Sequence, residues 1–198
     1  MKLWTVQPYH FWEVLQEEGM LCGDLSYVNK DWLPAYQWLA TQMELRVGPR
    51  PHERAFPVWA WYQHDSQRRK KPDLRRSGYM TPGQRGVRIE FEIEDNLVLL
   101  SDFYLWHCVL NNGYLAESEE DDERFEAEVQ ASGLSYNQYC SHPDYHQQIV
   151  ASWQRVFDLD WVDAKHWMTF QKEDKQIQGA FWELRMSDVK DVTIFVAR

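Results

Sequence analysis

The segment Val87-Arg88-Ile89-Glu90-Phe91-Glu92-Ile93 alternates apolar and charged residues without a break. Successive side chains of a β-strand point to opposite faces of the sheet. The pattern therefore predicts a strand with one face in the core and the other in water, as is typical of an antiparallel sheet covered on one side. The sequence on either side of this segment supplies the remaining strands and the helices that cover them.

Runs of β-branched and aromatic residues predict further strands at Lys2 to Gln7, Val58 to Tyr62, Leu97 to Leu100, Ile177 to Met186 and Val192 to Ala197. Apolar residues at helical spacing, with suitable caps, predict helices at Pro8 to Gly19, Asp31 to Val47, Ser101 to Leu110, Glu117 to Ala131 and Pro143 to Phe157. This order lacks regular β-α-β winding. It predicts one α+β domain over residues 1–198, with a twisted, mostly antiparallel sheet and helices packed on it.

Composition narrows the class of protein. The chain has a formal net charge of −10, and its eleven Trp, ten Tyr and nine Phe indicate an aromatic-rich core. The sequence contains no run of about eighteen apolar residues, so it predicts no membrane-spanning helix. The three cysteines are widely spaced and form no Cys-x-x-Cys pair, so we expect reduced thiols and a cytoplasmic location.

One stretch contradicts the acidic balance of the chain. The segment from Gln67 to Gly86, called here the basic connection, holds seven basic residues and one acid. In one interpretation these cations are solvated and pair with the glutamates of the neighbouring strand. In the other, the arginine pairs Arg68-Arg69 and Arg75-Arg76, with Ser77 and Gly78, bind phosphate or another anion, because guanidinium groups match phosphate oxygens bidentately. No glycine-rich nucleotide-binding motif is present, so the pattern names an anion and no particular cofactor.

Gln178 and Glu183 belong to a predicted late strand. Glu183 is flanked by apolar residues, a setting that can raise the pKa of a carboxyl group or orient it toward a ligand. Alternatively, Glu183 faces water on an edge strand. Their five-residue separation places the two side chains on opposite faces of a regular strand, unless Gly179 marks a bulge.

His142 and His146 have the spacing of two metal ligands on one helix. No glutamate follows His142, and no third ligand is evident in the sequence. We therefore predict no metal site.

Several segments together resemble a bacterial family, domain of unknown function 3841. They are Leu3 to Gln7, Val58 to Tyr62, Lys71 to Arg76, Ser101 to Asn111 and Gln178 to Leu184. The resemblance covers nearly the whole chain. It implies no activity, because the family's name states none.

A second resemblance, in the order of elements alone, is to ADP-ribosyltransferase-like folds. The segment from Trp12 to Leu21 is similar to their first helix and its glycine-leucine ending, and Glu183 stands where a late strand carries their catalytic glutamate. The first strand departs from that pattern, since it offers Thr5 and Gln7 where those enzymes place an arginine or histidine.

This second resemblance implies an enzyme that uses a nucleotide such as NAD, with Glu183 stabilising positive charge on a ribose. The residues expected to contact that cofactor are Gln7, Trp59, Trp61, Arg75, Arg76 and Gln178.

The alternative function is non-enzymatic. In that hypothesis the basic connection docks an anionic or phosphate-bearing partner, or a nucleic-acid backbone, although the net charge gives nucleic acid no support. A metal-dependent hydrolase around His142 and His146 is a third hypothesis.

Overall fold

The computed structural model describes residues 1–162 and 170–198. They form two compact units, one of Met1–Leu100 with Ile177–Arg198 and one of Ser101–Gln176. Strands and helices are mixed and the strand pairs are antiparallel, which confirms the predicted α+β class. The assignment of residues 1–198 to a single domain stays a prediction.

The strands are β1 (Lys2–Pro8), β2 (Met20–Asp24), β3 (Ala55–Phe56), β4 (Val58–Gln63), β5 (Arg85–Glu92), β6 (Leu99–Asp102), β7 (Ile177–Phe181), β8 (Glu183–Arg185) and β9 (Val189–Val196). The α-helices are α1 (Tyr9–Glu18), α2 (Leu33–Arg46), α3 (Phe103–Leu110), α4 (Glu119–Ser132), α5 (Tyr136–Ser141) and α6 (Pro143–Ser152). Short 3₁₀ turns lie at Leu25–Tyr27, Lys30–Trp32, Asp95–Leu97, Trp153–Phe157 and Met186–Asp188.

The first unit contains two sheets. Six strands follow the order β6-β7-β4-β1-β5-β9, and three follow the order β3-β2-β8. The alternating segment forms β5 as predicted, with Val87, Ile89 and Phe91 fully buried. They join Leu3 of β1 and Leu15 of α1 in the main hydrophobic core of this unit.

The order of the strands explains why the basic connection is long. Strands β4 and β5 are both antiparallel to β1 and lie on either side of it, so they run parallel to each other. Parallel strands need a long crossover, and here residues 64–84 supply it. The carbonyl of Pro72 accepts a hydrogen bond from Arg88 Nη1 of β5 at 2.8 Å. The connection therefore contacts the polar face of the sheet, opposite the core.

The predicted strand from Ile177 to Met186 is wrong in one respect: it is two strands, β7 and β8, in two different sheets. The chain leaves the larger sheet at Trp182, whose buried ring donates from Nε1 to the carbonyl of Gly48 at 3.0 Å. Nor does Gly179 mark a bulge. A Cβ atom there would lie 2.7 Å from Val98 Cγ1, so glycine is needed for close packing.

Two further predictions need correction. Asp31 does not cap the second helix, since a 3₁₀ turn capped by Asn29 precedes α2. Trp32 shares the helical spacing of Leu39 and Met43, which predicts a core position, but it is 42% exposed. Helix α5 was not predicted, although Ser135 and Gln138 form a capping box at its start.

The second unit is mainly helical. Asp102 caps α3, accepting a hydrogen bond from the backbone N–H of Tyr104 at 2.9 Å. Lys175 Nζ lies 3.5 Å from Asp102 Oδ2, and both side chains are buried. Across residues 1–162 and 170–198, no helix combines the length and apolarity needed to cross a membrane.

Candidate functional site

A large cavity of the first unit lies beside the basic connection. This basic cavity has a volume of about 720 Å³, and Trp4, His64, Asp65 and Asp73 are part of its lining. Six cationic side chains line it as well: Arg68, Arg69, Lys70, Lys71, Arg75 and Arg76. Cations thus outnumber carboxylates three to one in a chain that is acidic overall. The predicted arginine pair Arg75-Arg76 lies in this cavity.

The carboxylates of the basic cavity pair with three of its four arginines. Asp73 accepts two hydrogen bonds from Arg75, 2.9 Å from Nε and 2.7 Å from Nη2. Asp65 accepts from Arg76 at 3.2 Å and from Arg69 at 3.3 Å. A guanidinium group carries five donors, so each arginine keeps donors for a ligand while its position is fixed.

Glu90 of β5 contacts two residues that line the same cavity, Trp4 and Lys71. It accepts from Lys2 Nζ at 2.7 Å and from Trp4 Nε1 at 2.8 Å, and Lys71 Nζ lies 3.3 Å away. The hydrogen bond from Lys2, followed by that from Trp4, lowers the pKa of Glu90 to about 2. Glu90 is therefore ionised and bonded to β1 through Lys2 and Trp4. Its contact with Lys71 agrees with the interpretation in which cations of the basic connection pair with glutamates of the neighbouring strand.

His64, which the sequence analysis missed, also lines the cavity. Its Nε2 lies 2.9 Å from the hydroxyl of Tyr79, and its ring meets Trp61 edge-on at 4.7 Å. Burial, and then the positive charge of Arg76, lowers the pKa of His64. A histidine at the end of a strand, just before the cations, was the available sequence signal.

Two predicted cofactor contacts lie close to this cavity without lining it. In the cross-strand register Gln178 pairs with Trp61, Trp61 with Trp4, and Trp4 with Glu90. Directly opposed residues of antiparallel strands share a face of the sheet. Gln178 and Trp61 therefore continue the row that carries Trp4.

Arg85, the remaining cation of the basic connection, is separate from the basic cavity, because its guanidinium lies 3.6 Å over the ring of Tyr9.

A second cavity, the aromatic pocket, has a volume of about 280 Å³. Gln7 and Trp59, two predicted cofactor contacts, both line it. The buried Thr5 connects them, since its hydroxyl donates to the Trp59 carbonyl at 2.8 Å and accepts from Gln7 Nε2 at 2.8 Å. The aromatic residues that line the pocket are Phe11, Tyr27, Trp32, Tyr36, Phe56 and Trp59.

Glu183 lines a third cavity, of about 530 Å³, with Glu92, Glu94, Asp188 and Arg185. We call it the acidic cavity. Glu183 Oε2 lies 3.3 Å from Arg185 Nη2, and no other cation of the described chain lines this space. The role of Glu183 in catalysis stays a prediction.

Among the described residues, none lines two of these three cavities. Glu183 and the Arg75-Arg76 pair, which the enzyme hypothesis places at one ligand, therefore open onto different spaces.

The histidine pair of the second unit shows ordinary structural roles. His142 stands at the N-terminal cap of α6, and His146 Nδ1 lies 3.1 Å from the carbonyl oxygen of Cys140. The described part of the chain contains no group of three or more potential metal ligands.

Fold and cavities together define an α+β protein with a basic cavity beside its larger sheet. The chain belongs to the family described as domain of unknown function (DUF3841), whose model matches residues 2–190. No curated protein and no solved structure matches it.

Proposed function

We propose that this protein binds a phosphate-bearing anionic ligand in the basic cavity. The observation that carries the proposal is the concentration of six cationic side chains, against two carboxylates, in one concave space of about 720 Å³. Ligand cavities commonly span roughly 300 to 1,000 Å³. The rest of the protein is acidic and repels anions. An anion is therefore expected to bind at this local basic site.

The carboxylates support this function. Asp65 and Asp73 fix Arg69, Arg75 and Arg76 without using all of their donors. A phosphate group would then meet guanidinium groups that are already oriented, so less side-chain entropy is lost on binding. Arginine forks are suited to phosphate oxygens in this way.

The binding function has better support than the ADP-ribosyltransferase-like enzyme. That enzyme needs Glu183 and a pyrophosphate-gripping cation pair at one dinucleotide, but Glu183 and Arg75-Arg76 line cavities without a common described residue. Moreover, the aromatic pocket with Gln7 offers no cation among its described lining.

We also propose that the protein works in the cytoplasm. All three cysteines are free thiols, as a reducing compartment favours. Burial raises the pKa of Cys108 to about 11, so that thiol is protonated.

Isothermal titration with inorganic triphosphate at two salt concentrations tests the binding proposal. We expect binding that weakens as salt rises, because screening reduces the attraction between exposed charges. Arg75→Ala and Arg76→Ala should each weaken binding about tenfold or more, the effect of losing a charge-assisted hydrogen bond. Arg54→Ala is the matched control, since Arg54 pairs with Asp24 outside this cavity.

Glu183→Gln separates the two hypotheses. It should leave triphosphate affinity unchanged if the basic cavity is the site. Affinity that is flat with salt, or equal in Arg76→Ala and Arg54→Ala, contradicts the proposal. A loss on changing Glu183 that matches the loss on changing Arg76 would restore the enzyme hypothesis.

A further inference from the structure

We propose that the aromatic pocket is a second, independent ligand site, specific for an uncharged planar heteroaromatic ring that carries an N–H donor. It shares no described lining residue with the basic cavity, so the inference does not depend on the phosphate site.

The walls of the pocket suit a flat ring. Phe11 and Tyr27 meet edge-on, with ring centroids 5.0 Å apart, and Tyr36 and Trp59 do so at 6.3 Å. The volume of about 280 Å³ suits one ring system and leaves little room for a larger molecule. Aromatic rings pack against such walls in offset or edge-on arrangements, which supply binding energy beyond the area they bury.

Two of these aromatic side chains are unusually exposed. Tyr27 is 67% exposed and Trp32 is 42% exposed, and both line the pocket. Single exposed apolar residues are normal on a protein surface. Two large aromatics converging on one concave space are better explained by a ligand that covers them.

The polar chemistry of the pocket is set by Thr5. Its hydroxyl has one proton, which is donated to the Trp59 carbonyl, so the bond to Gln7 must use Nε2 of Gln7 as donor. The orientation of the Gln7 amide is thereby fixed, with Nε2 toward Thr5 and Oε1 turned away. Because Gln7 lines the pocket, Oε1 is the acceptor that an N–H group of a ligand would meet.

Charge excludes anions and disfavours cations. Among the described lining residues, Asp24 alone is ionised. Its carboxylate accepts from Arg54 at 3.0 Å and 3.2 Å and from Ser26, and the Arg54 bonds hold the pKa of Asp24 well below its usual range. A phosphate would find no cation in the lining, and a cationic ligand would find a carboxylate already neutralised by arginine. A neutral ligand fits best.

Indole and benzofuran are matched probes, since they share a bicyclic shape and differ in that only indole carries an N–H donor. Titration of ¹⁵N-labelled protein should move the indole N–H signal of Trp59 when indole is added and leave that of Trp4, in the basic cavity, in place. We expect benzofuran to bind about three- to tenfold more weakly than indole, as the loss of one hydrogen bond predicts. In Gln7→Leu the two probes should bind equally, whereas the exposed control Gln16→Leu should keep the difference.

Three results would overturn the proposal. The first is no shift of the Trp59 signal with indole at millimolar concentration. The second is equal affinity of wild-type protein for the two probes, a result that does not depend on the folding of any variant. The third is a Trp59 shift with tetramethylammonium but not with indole, which would make the pocket a cation site.

Discussion

The basic cavity and the aromatic pocket are built in opposite ways. The basic cavity owes its shape to a crossover connection and to ion pairs in which Arg75 and Arg69 are largely exposed. The aromatic pocket is formed by strand ends in close backbone contact and by the buried hydroxyl of Thr5. An exposed charged side chain can move to meet an anion with little cost to the stability of the fold. A close-packed wall cannot move without disturbing its neighbours. Substitutions should therefore affect binding at the first region and stability at the second.

The largest difference is expected for glycines. A Cβ atom on Gly23, which lines the aromatic pocket, would lie 2.3 Å from the backbone oxygen of Phe56. On Gly86, at the end of the basic connection, it would meet the movable side chains of Phe195 at 2.7 Å and Met80 at 2.8 Å. Gly23→Ala should cost about 3 kcal/mol and Gly86→Ala about 1 kcal/mol in urea unfolding. Equal costs would break the comparison.

Next in size is the loss of the buried hydroxyl at the pocket. Thr5→Val keeps the shape of the side chain but removes a donor to the Trp59 carbonyl and an acceptor for Gln7. We expect a loss of about 1 to 2 kcal/mol in the free energy of unfolding, because buried polar groups lose a partner. Thr41→Val is the control, since Thr41 is exposed on α2 and bonds only within that helix. A cost no larger than that of the control would contradict a buried network.

Glu90, which contacts Trp4 and Lys71 of the basic cavity, makes the stability of this region sensitive to acid. Its folded-state pKa of about 2 lies below the ordinary value of 4.5, so the unfolded chain binds the proton first as pH falls. The stability that Glu90 contributes is present above pH 4.5 and is lost as the pH falls toward 2. Glu90→Gln should be less stable than wild type at neutral pH, with a difference that shrinks in acid. A difference independent of pH would remove the ionised Glu90 from the explanation.

The smallest effect on stability is expected for the most conspicuous ion pair. Arg75→Ala removes a two-bond contact with Asp73, but the arginine side chain is 80% exposed. Exposed pairs contribute little, so any loss in the free energy of unfolding should lie within experimental error. A larger loss would mean that Arg75 supports the fold instead of serving a ligand.

The sequence predicted the local elements well and their placement poorly. The alternation of Val87 to Ile93 was sufficient for β5, because one strand face is buried wherever the sheet is covered. Nothing local to Gln178 and Glu183 shows that the chain changes sheet at Trp182, since that break depends on a distant carbonyl, of Gly48. The sequence therefore assigns the two residues to one strand, whereas Gln178 lies on β7 and Glu183 on β8.

The candidate sites divide in the same way. The cations of the basic connection were visible because charge runs need no tertiary information. That the connection must cross β1 depends on strand order, which no single segment encodes. The aromatic pocket was visible only in part. Gln7 and Trp59 were named, but Trp32 was assigned to the core because its helical spacing resembled that of Leu39 and Met43, which are buried.

Three tryptophans give each cavity its own reporter. Trp4 lines the basic cavity, Trp59 the aromatic pocket and Trp182 the acidic cavity that holds Glu183. Their indole N–H signals in a ¹⁵N spectrum can be assigned by single Trp→Phe substitutions.

Titration of the ¹⁵N-labelled protein with inorganic triphosphate then tests the separation of the sites most directly. Binding in the basic cavity should shift the Trp4 signal, which reports on the N–H donated to Glu90, and leave Trp59 and Trp182 unmoved. A shift of Trp182 or Trp59 together with Trp4, or in its place, would mean that the anion occupies a cleft shared with Glu183 or Gln7, and would contradict the separation.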